Sequence, residues 1–371
     1  MAIRVCHVTS LHKANDGRIF QRYCKSLTKQ YEVFLVAPNT ETREENGVHI
    51  VGVSLPTINQ RLQRLLKLKM LLKPLYEIDA EIYHFHDPEL MNLGLKLKQR
   101  GKKIVFDSHE DVLNQIQNKG YIPRPFRKIV TSIYGFHERR CLRQYDAIVS
   151  VTGFIVDRLK AINPNTYQIT NYPIIKERPL IKRSWDRIVC FAGLLSEDWM
   201  LSHIVNVLPA VNANMLMAGF YATEEYLDHL KCFNGWKNVE FFGTLPHDDV
   251  LGLYNKASIG LAIESYTNPN VGYKVGSLGV TKITDYMASG LPVIVSNSEV
   301  WGAIVRKHQC GIVVNDPTNE EEIASAISFI LDNPEEAKRM SENALIATKE
   351  VFNWGTQESI VFDMYKSLLR E

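Results

Sequence analysis

The residues best placed to do chemistry are Lys282 and Asp285, in the run Thr281-Lys282-Ile283-Thr284-Asp285-Tyr286-Met287-Ala288-Ser289-Gly290-Leu291-Pro292-Val293-Ile294. On a helix, a spacing of three brings both side chains to one face near the N-terminus, where unpaired backbone amides already favour an anion. An ammonium supplies charge and three donors, which suits a diphosphate; a carboxylate only accepts, which suits a ribose diol. The plainer reading is a surface i,i+3 ion pair worth a few tenths of a kcal/mol. The context favours chemistry, because a small-residue turn, Ser289-Gly290, feeds directly into an apolar strand, and a surface pair needs neither.

Other candidates follow predicted strands. In Cys190-Phe191-Ala192-Gly193-Leu194 a strand runs into a glycine turn. Gly193, lacking a Cβ, lets backbone amides approach a diphosphate, though an ordinary tight turn accounts for it equally well. The loop Asn15-Asp16-Gly17-Arg18 follows the first strand. Gly17 allows close approach to a donor and Arg18 suits phosphates or an acceptor; a plain turn with a surface arginine is the alternative. Val105-Phe106-Asp107-Ser108-His109-Glu110-Asp111 places His109 just past a strand, with Glu110 and Asp111 as ring partners or acceptor contacts. The alternative is a hydrogen-bonded structural histidine. His84-Phe85-His86-Asp87 ends another strand, and alternation puts His84 and His86 on one face. No compact third ligand follows, so support of the loop is favoured over zinc, with His86 and Asp87 on the acceptor side. Asp248-Asp249 after Pro246 reads as a helix start rather than a metal clamp, and no essential metal is expected.

The elements that must position these residues alternate. Short β-rich runs near 4–8, 32–37, 48–53, 80–84, 103–107 and 147–151 are separated by helical stretches. After a polar, proline-containing segment ending near Trp185, a second series begins at 188–191 and continues at 214–218, 239–242, 258–262, 292–295 and 311–314. This pattern predicts an α/β fold with parallel sheets covered on both faces. The 371 residues suit two domains. The expected boundaries are 1–172 and 185–355, with a last helix over 356–371. Ligands of such sheets bind at the carboxyl ends of the strands, here in an expected cleft between the domains.

Composition excludes several classes. With 45% apolar and 23% charged residues and a net charge of +2, the chain is ordinary globular protein with no global pull toward nucleic acid. The six cysteines show no CxxC spacing and suit a reducing compartment. No run of about 18 apolar residues predicts a membrane span, so a cytoplasmic location is expected. One stretch, 61–73, mixes leucines with Arg61, Arg64, Lys67, Lys69 and Lys73. It fits either a helix packed on its own domain or one facing an anionic membrane.

The segment from Lys282 through Asp285, Tyr286 and Met287-Ala288 to Gly290-Leu291-Pro292-Val293 resembles the nucleotide-sugar segment of the retaining GT-B glycosyltransferases of family 4, which build bacterial surface polysaccharides. The resemblance extends over the chain in domain order and implies two facing Rossmann-like domains, the last helix crossing back to the first. It implies a nucleoside diphosphate-sugar donor with no further cofactor, phosphate contact from Lys282 and from the turn at Gly193 and Leu194, and ribose contact from Asp285. It places His109 near the transferring carbon. The implied acceptor is a glycan, in related enzymes often polyprenyl-diphosphate-linked, reached from the inner face of the plasma membrane. Two departures stand out: Ser277 occupies the place of the usual glutamate, and Leu195-Ser196-Glu197-Asp198-Trp199 lacks the usual basic residue. They keep open a catalytically impaired sugar-nucleotide or glycan-binding subunit. An epimerase or glycan phosphorylase of the same fold is the enzymatic rival. A dinucleotide oxidoreductase fits less well, since HVTSLHKANDGR is not a glycine fingerprint.

Overall fold

The computed structural model describes residues 2–56, 60–108, 112–118, 123–175, 183–268 and 273–370. The chain divides into two compact units, one of Met1–Asn171 with Gly355–Glu371 and one of Tyr172–Trp354.

The first unit carries β1 (Arg4–Val8), β2 (Glu32–Pro38), β3 (Arg43–Glu45), β4 (Val48–Val53), β5 (Ile82–Phe85), β6 (Lys103–Ser108), β7 (Ala147–Ser150) and β8 (Thr166–Gln168). Their order is β3-β4-β2-β1-β5-β6-β7-β8, parallel except for the β3–β4 pair. All four residues of β5 and of β7 are buried, as strands covered on both faces require. Chain order reverses at β1/β5, the kind of point where α/β sheets open a crevice.

The second unit carries β9 (Ile188–Ala192), β10 (Asn214–Ala218), β11 (Val239–Phe241), β12 (Ile259–Ala262), β13 (Val293–Ser296) and β14 (Gly311–Val314). The order β11-β10-β9-β12-β13-β14 is parallel throughout and reverses at β9/β12. The expected α/β class with two parallel-dominated sheets is therefore what the chain forms. The short β3 and β8 were not foreseen: at three residues each, neither displays a readable alternation.

The last helix, Trp354–Leu369, packs on the first unit through a polar seam. In register, His7 of β1 lies opposite His84 of β5, and His86 continues that face beyond the strand end. His84 Nδ1 lies 2.8 Å from the Tyr365 hydroxyl, which also lies 3.4 Å from His7 Nε2. His7 Nδ1 meets His86 Nε2 at 2.9 Å, and His86 Nδ1 meets Asp107 at 3.2 Å. Burial lowers the pKa of His7 and His84 well below the usual imidazole range, so both rings are neutral. The Tyr365→Phe variant keeps the ring and removes these hydrogen bonds. It should weaken docking of the helix by about 1 kcal/mol. Hydrogen exchange should then run roughly fivefold faster across 354–369 in the intact chain. Unchanged protection there would show that the seam does not hold the helix.

Candidate active site

Lys282 opens the helix Lys282–Ala288, which reaches the sheet through Tyr286. The Tyr286 hydroxyl donates to the Leu261 carbonyl and accepts from the Ala192 amide, both at 3.3 Å, so the ring bridges β12 and β9. Gly260 makes room for it, since a Cβ there would lie 2.4 Å from the ring. This anchor sets Lys282 beside the end of β9. Its Nζ donates to the Ala192 carbonyl and lies 3.8 Å from the Phe191 ring centre and 4.4 Å from that of Trp199. Trp199 stacks on Trp301 with 8° between the planes, and Trp301 donates to the Ser277 carbonyl at 3.1 Å. The ammonium is held by a carbonyl and two ring faces. Burial pushes its pKa down to about 7.

Gly193 follows at φ +146°, and a Cβ on it would lie 2.5 Å from Lys282 Nζ. Only glycine lets the turn and the ammonium share this space. Leu194 is partly exposed just beyond. Asp285, partly buried, accepts from the Thr281 hydroxyl at 2.7 Å. Lys282, Gly193 and Asp285 thus gather at the carboxyl end of β9, beside the reversal of the sheet.

Glu264, two residues past β12, belongs with them and was not singled out from the sequence. It is fully buried, and neither carboxyl oxygen has a hydrogen-bond partner among the described residues. Its backbone is fixed at both ends by Ser296 Oγ, which accepts from its amide at 2.7 Å and donates to its carbonyl at 2.8 Å. Burial, reinforced by Asp198, raises its pKa to about 9. The available signal was a lone acid directly after the apolar run Ile259-Gly260-Leu261-Ala262-Ile263. Ser277, by contrast, closes its own loop by accepting from the Gly279 amide at 3.0 Å.

In the first unit several expectations meet a different arrangement. Arg18 is only 7% exposed and does not present its guanidinium to a ligand. It pairs with both oxygens of Asp107 at 2.6 and 2.8 Å and also donates to Ile169, Asn171 and Tyr23, which occupies its five N–H groups. Gly17 lies in the loop before it, held by Asp16, which accepts from the Arg18 and Ile19 amides at 2.8 Å each. His86 and Asp87, expected to line the acceptor side, have buried side chains. Asp87 accepts from the Thr9 hydroxyl at 2.8 Å and the Ser10 amide at 2.6 Å, and so fastens the loop after β1. His12 in that loop, also missed, lies 3.5 Å from Asp16 and 3.4 Å from Asp87; hydrogen bonding to both raises its pKa to about 10. His109, Glu110 and Asp111 lie outside the described residues.

The nitrogens of His7, His84 and His86 fall within 4.8 Å of one another, the spacing of a metal cluster. Most of these nitrogens already share hydrogen bonds, however: His7 Nδ1 with His86 Nε2 at 2.9 Å, His84 Nδ1 with the Tyr365 hydroxyl at 2.8 Å and His86 Nδ1 with Asp107 at 3.2 Å. That arrangement fits a polar core rather than a tetrahedral centre.

The family follows from matches along nearly the whole chain. Residues 175–346 match the model of glycosyl transferases group 1, and residues 17–170 match that of glycosyltransferase family 4. The chain belongs to the family 4 glycosyltransferases. Its fold is that of the GT-B structures: sucrose-phosphate synthase of Thermosynechococcus elongatus superposes with a TM-score of 0.72 at 14% identity, over 99% of each chain. HepE of Anabaena, solved with UDP-glucose, gives 0.67 at 12% identity over 98% of this chain and 100% of that one. WaaG, a glycosyltransferase of lipopolysaccharide biosynthesis, gives 0.65 at 11% identity over 96% and 98%. Glycogen synthase of Mycobacterium tuberculosis is 21% identical over 245 residues, 62% of this chain; the match spans 56% of that relative's length.

The buried Glu264 carries a stability signature. Its pKa is raised on folding, from 4.5 to about 9, so the folded state binds more protons than the unfolded one between those values. Stability then falls as pH rises through that window. Glu264→Gln mimics the protonated acid and should remove the penalty, stabilising the second unit by on the order of a few kcal/mol at pH 8 and hardly at all near pH 4. Thermal melts at the two pH values check this. An equal effect at both would mean that Glu264 is ionised in the folded protein.

Proposed function

We propose that this enzyme is a retaining glycosyltransferase that moves a hexose from a nucleoside diphosphate-sugar to a hydroxyl of a lipid-linked glycan, in surface-polysaccharide biosynthesis. The observation that carries the donor assignment is the Lys282 ammonium, buried against Phe191, Trp199 and the Ala192 carbonyl beside Gly193. A cation with so little solvation gains strongly from an arriving diphosphate, and negative charge grows on that group as the glycosidic bond breaks. Around Gly193 the Leu194 amide would add a donor, those of Gly193 and Leu195 being engaged by the Ala218 and Phe220 carbonyls, and Asp285 would accept from the ribose diol. His109 would stand beside the transferring carbon. In a same-face reaction the leaving phosphate takes the acceptor proton, which needs no covalent nucleophile. The UDP-glucose complex of HepE supports a nucleotide-sugar donor, and the role of WaaG supports a glycan acceptor of the cell surface. The reading carries no metal step.

The acidic Glu197 and Asp198, where a basic residue was expected, favour a second reading, a sugar-nucleotide-binding subunit without transfer. It would show donor binding with no product on any glycan acceptor.

Calorimetry with UDP, GDP, dTDP and CMP tests the assignment. Selective micromolar binding of one diphosphate is expected, and Lys282→Ala should weaken it by about tenfold to a hundredfold. With a pKa of about 7 in the free protein, Lys282 must take up a proton to meet the anion above neutrality. Affinity for the intact nucleotide-sugar should therefore be flat below pH 7 and fall as pH rises, by up to about tenfold per unit. Unchanged binding by a folded Lys282→Ala protein would refute the donor site.

A further inference from the structure

The helix Arg124–Leu142 of the first unit leaves an apolar stripe uncovered. Phe126, Ile129, Val130, Ile133 and Phe136 are 37–74% exposed, with Phe136 at the upper limit. Their spacing of three and four residues lines them along roughly a third of the helix circumference. Soluble surfaces rarely leave that much contiguous apolar area to water without a use for it.

The exposed charge on the helix itself has one sign. Arg124, Arg127, Lys128, Arg139 and Arg140 lie on the same helix and Arg143 follows it. The helix has one acid, Glu138, which is buried and accepts from Arg158 at 2.6 Å. A concavity against the same helix is lined by Arg139, Arg143 and Arg158 together with Glu138, which pairs with Arg158 and leaves Arg139 and Arg143 for a phosphate headgroup. The stretch 61–73, whose sequence fits either a packed helix or a membrane-facing one, is weaker. Arg64 is turned inward onto Glu89 at 2.8 and 3.0 Å, Leu68 and Leu71 are buried, and the side chains of Arg61 and Leu62 lie outside the described ones.

We propose that the helix Arg124–Leu142 docks this enzyme in the plane of an anionic bilayer, its stripe in the acyl boundary and its arginines on lipid phosphates. An apolar stripe on a helix that carries six bases at or beside it and no exposed acid of its own matches such a surface in both hydrophobicity and charge. No helix among the described residues is long and apolar enough to cross a membrane, so the contact is interfacial. The proposal extends the lipid-linked acceptor reading, but its evidence is separate.

The test is cosedimentation with vesicles of phosphatidylcholine alone or with phosphatidylglycerol. Wild type should bind the anionic vesicles, lose binding at high salt, and ignore the neutral ones. The triple variant Phe126→Ser, Ile133→Ser, Phe136→Ser should bind at least about tenfold less, as loss of the buried apolar area requires. The stripe is already exposed, so folding should survive; retained binding of the nucleoside diphosphate checks that and keeps the donor site separate from this claim. A single Phe136→Trp reporter should shift its emission to the blue with anionic vesicles. Equal vesicle binding by wild type and triple variant, no binding by wild type, or an unshifted reporter would overturn the proposal. So would a lipid-free dimer that the triple variant dissolves, which would make the stripe an interface between copies.

Discussion

A lysine buried in a folded protein must replace the water it gives up, and here the replacement is incomplete. One carbonyl and two aromatic faces surround the Lys282 ammonium, and burial depresses its pKa to about 7. Much of the second unit's local architecture serves this placement. Tyr286 pins the helix to β9 and β12, Gly260 and Gly193 remove the Cβ atoms that would block it, and Trp301 backs the Trp199 ring. Glu264, equally buried and without a side-chain partner among the described residues, sits past the neighbouring strand. Two buried polar groups thus stand short of partners among the described residues at the reversal point of a parallel sheet, the observation on which the proposed donor site rests.

The first unit treats its buried polar groups in the opposite way. Asp107 is saturated by Arg18 and His86, and the histidine seam ends on Tyr365 of the last helix. The pKa of Asp107 stays well below the carboxylate range because Arg18 and His86 outweigh its desolvation. Among the described residues the seam leaves only the neutral His84 Nε2 without a hydrogen bond, whereas both oxygens of the Glu264 carboxyl lack one. The difference between the units lies in how charged groups are partnered, since both present Lys, Arg, Asp or Glu near strand ends.

The legibility of the sequence follows the same line. Short apolar runs bounded by polar or turn residues mark strands whether or not both faces are covered, so β1, β4, β10 and β14 were placed to the residue. Lys282 and Gly193 were legible because a charge and a glycine beside strand ends are local features. Arg18 was not, since its partner Asp107 lies 89 positions away and no spacing rule reports such a pair. Glu264 was missed for a related reason: burial without a partner is a property of the fold around a residue. The stripe on Arg124–Leu142 has helical periodicity, but periodicity alone does not say whether an apolar face meets a core or water.

The most direct test is the titration of Lys282 itself, followed by NMR of the lysine side chains with and without UDP. One lysine should titrate near 7 in the free protein, vanish from that range in Lys282→Ala, and move upward by at least about one unit when UDP binds. A Lys282 that titrates near the ordinary 10.5 and ignores UDP would show a solvated surface charge, and the donor site would have to be sought elsewhere.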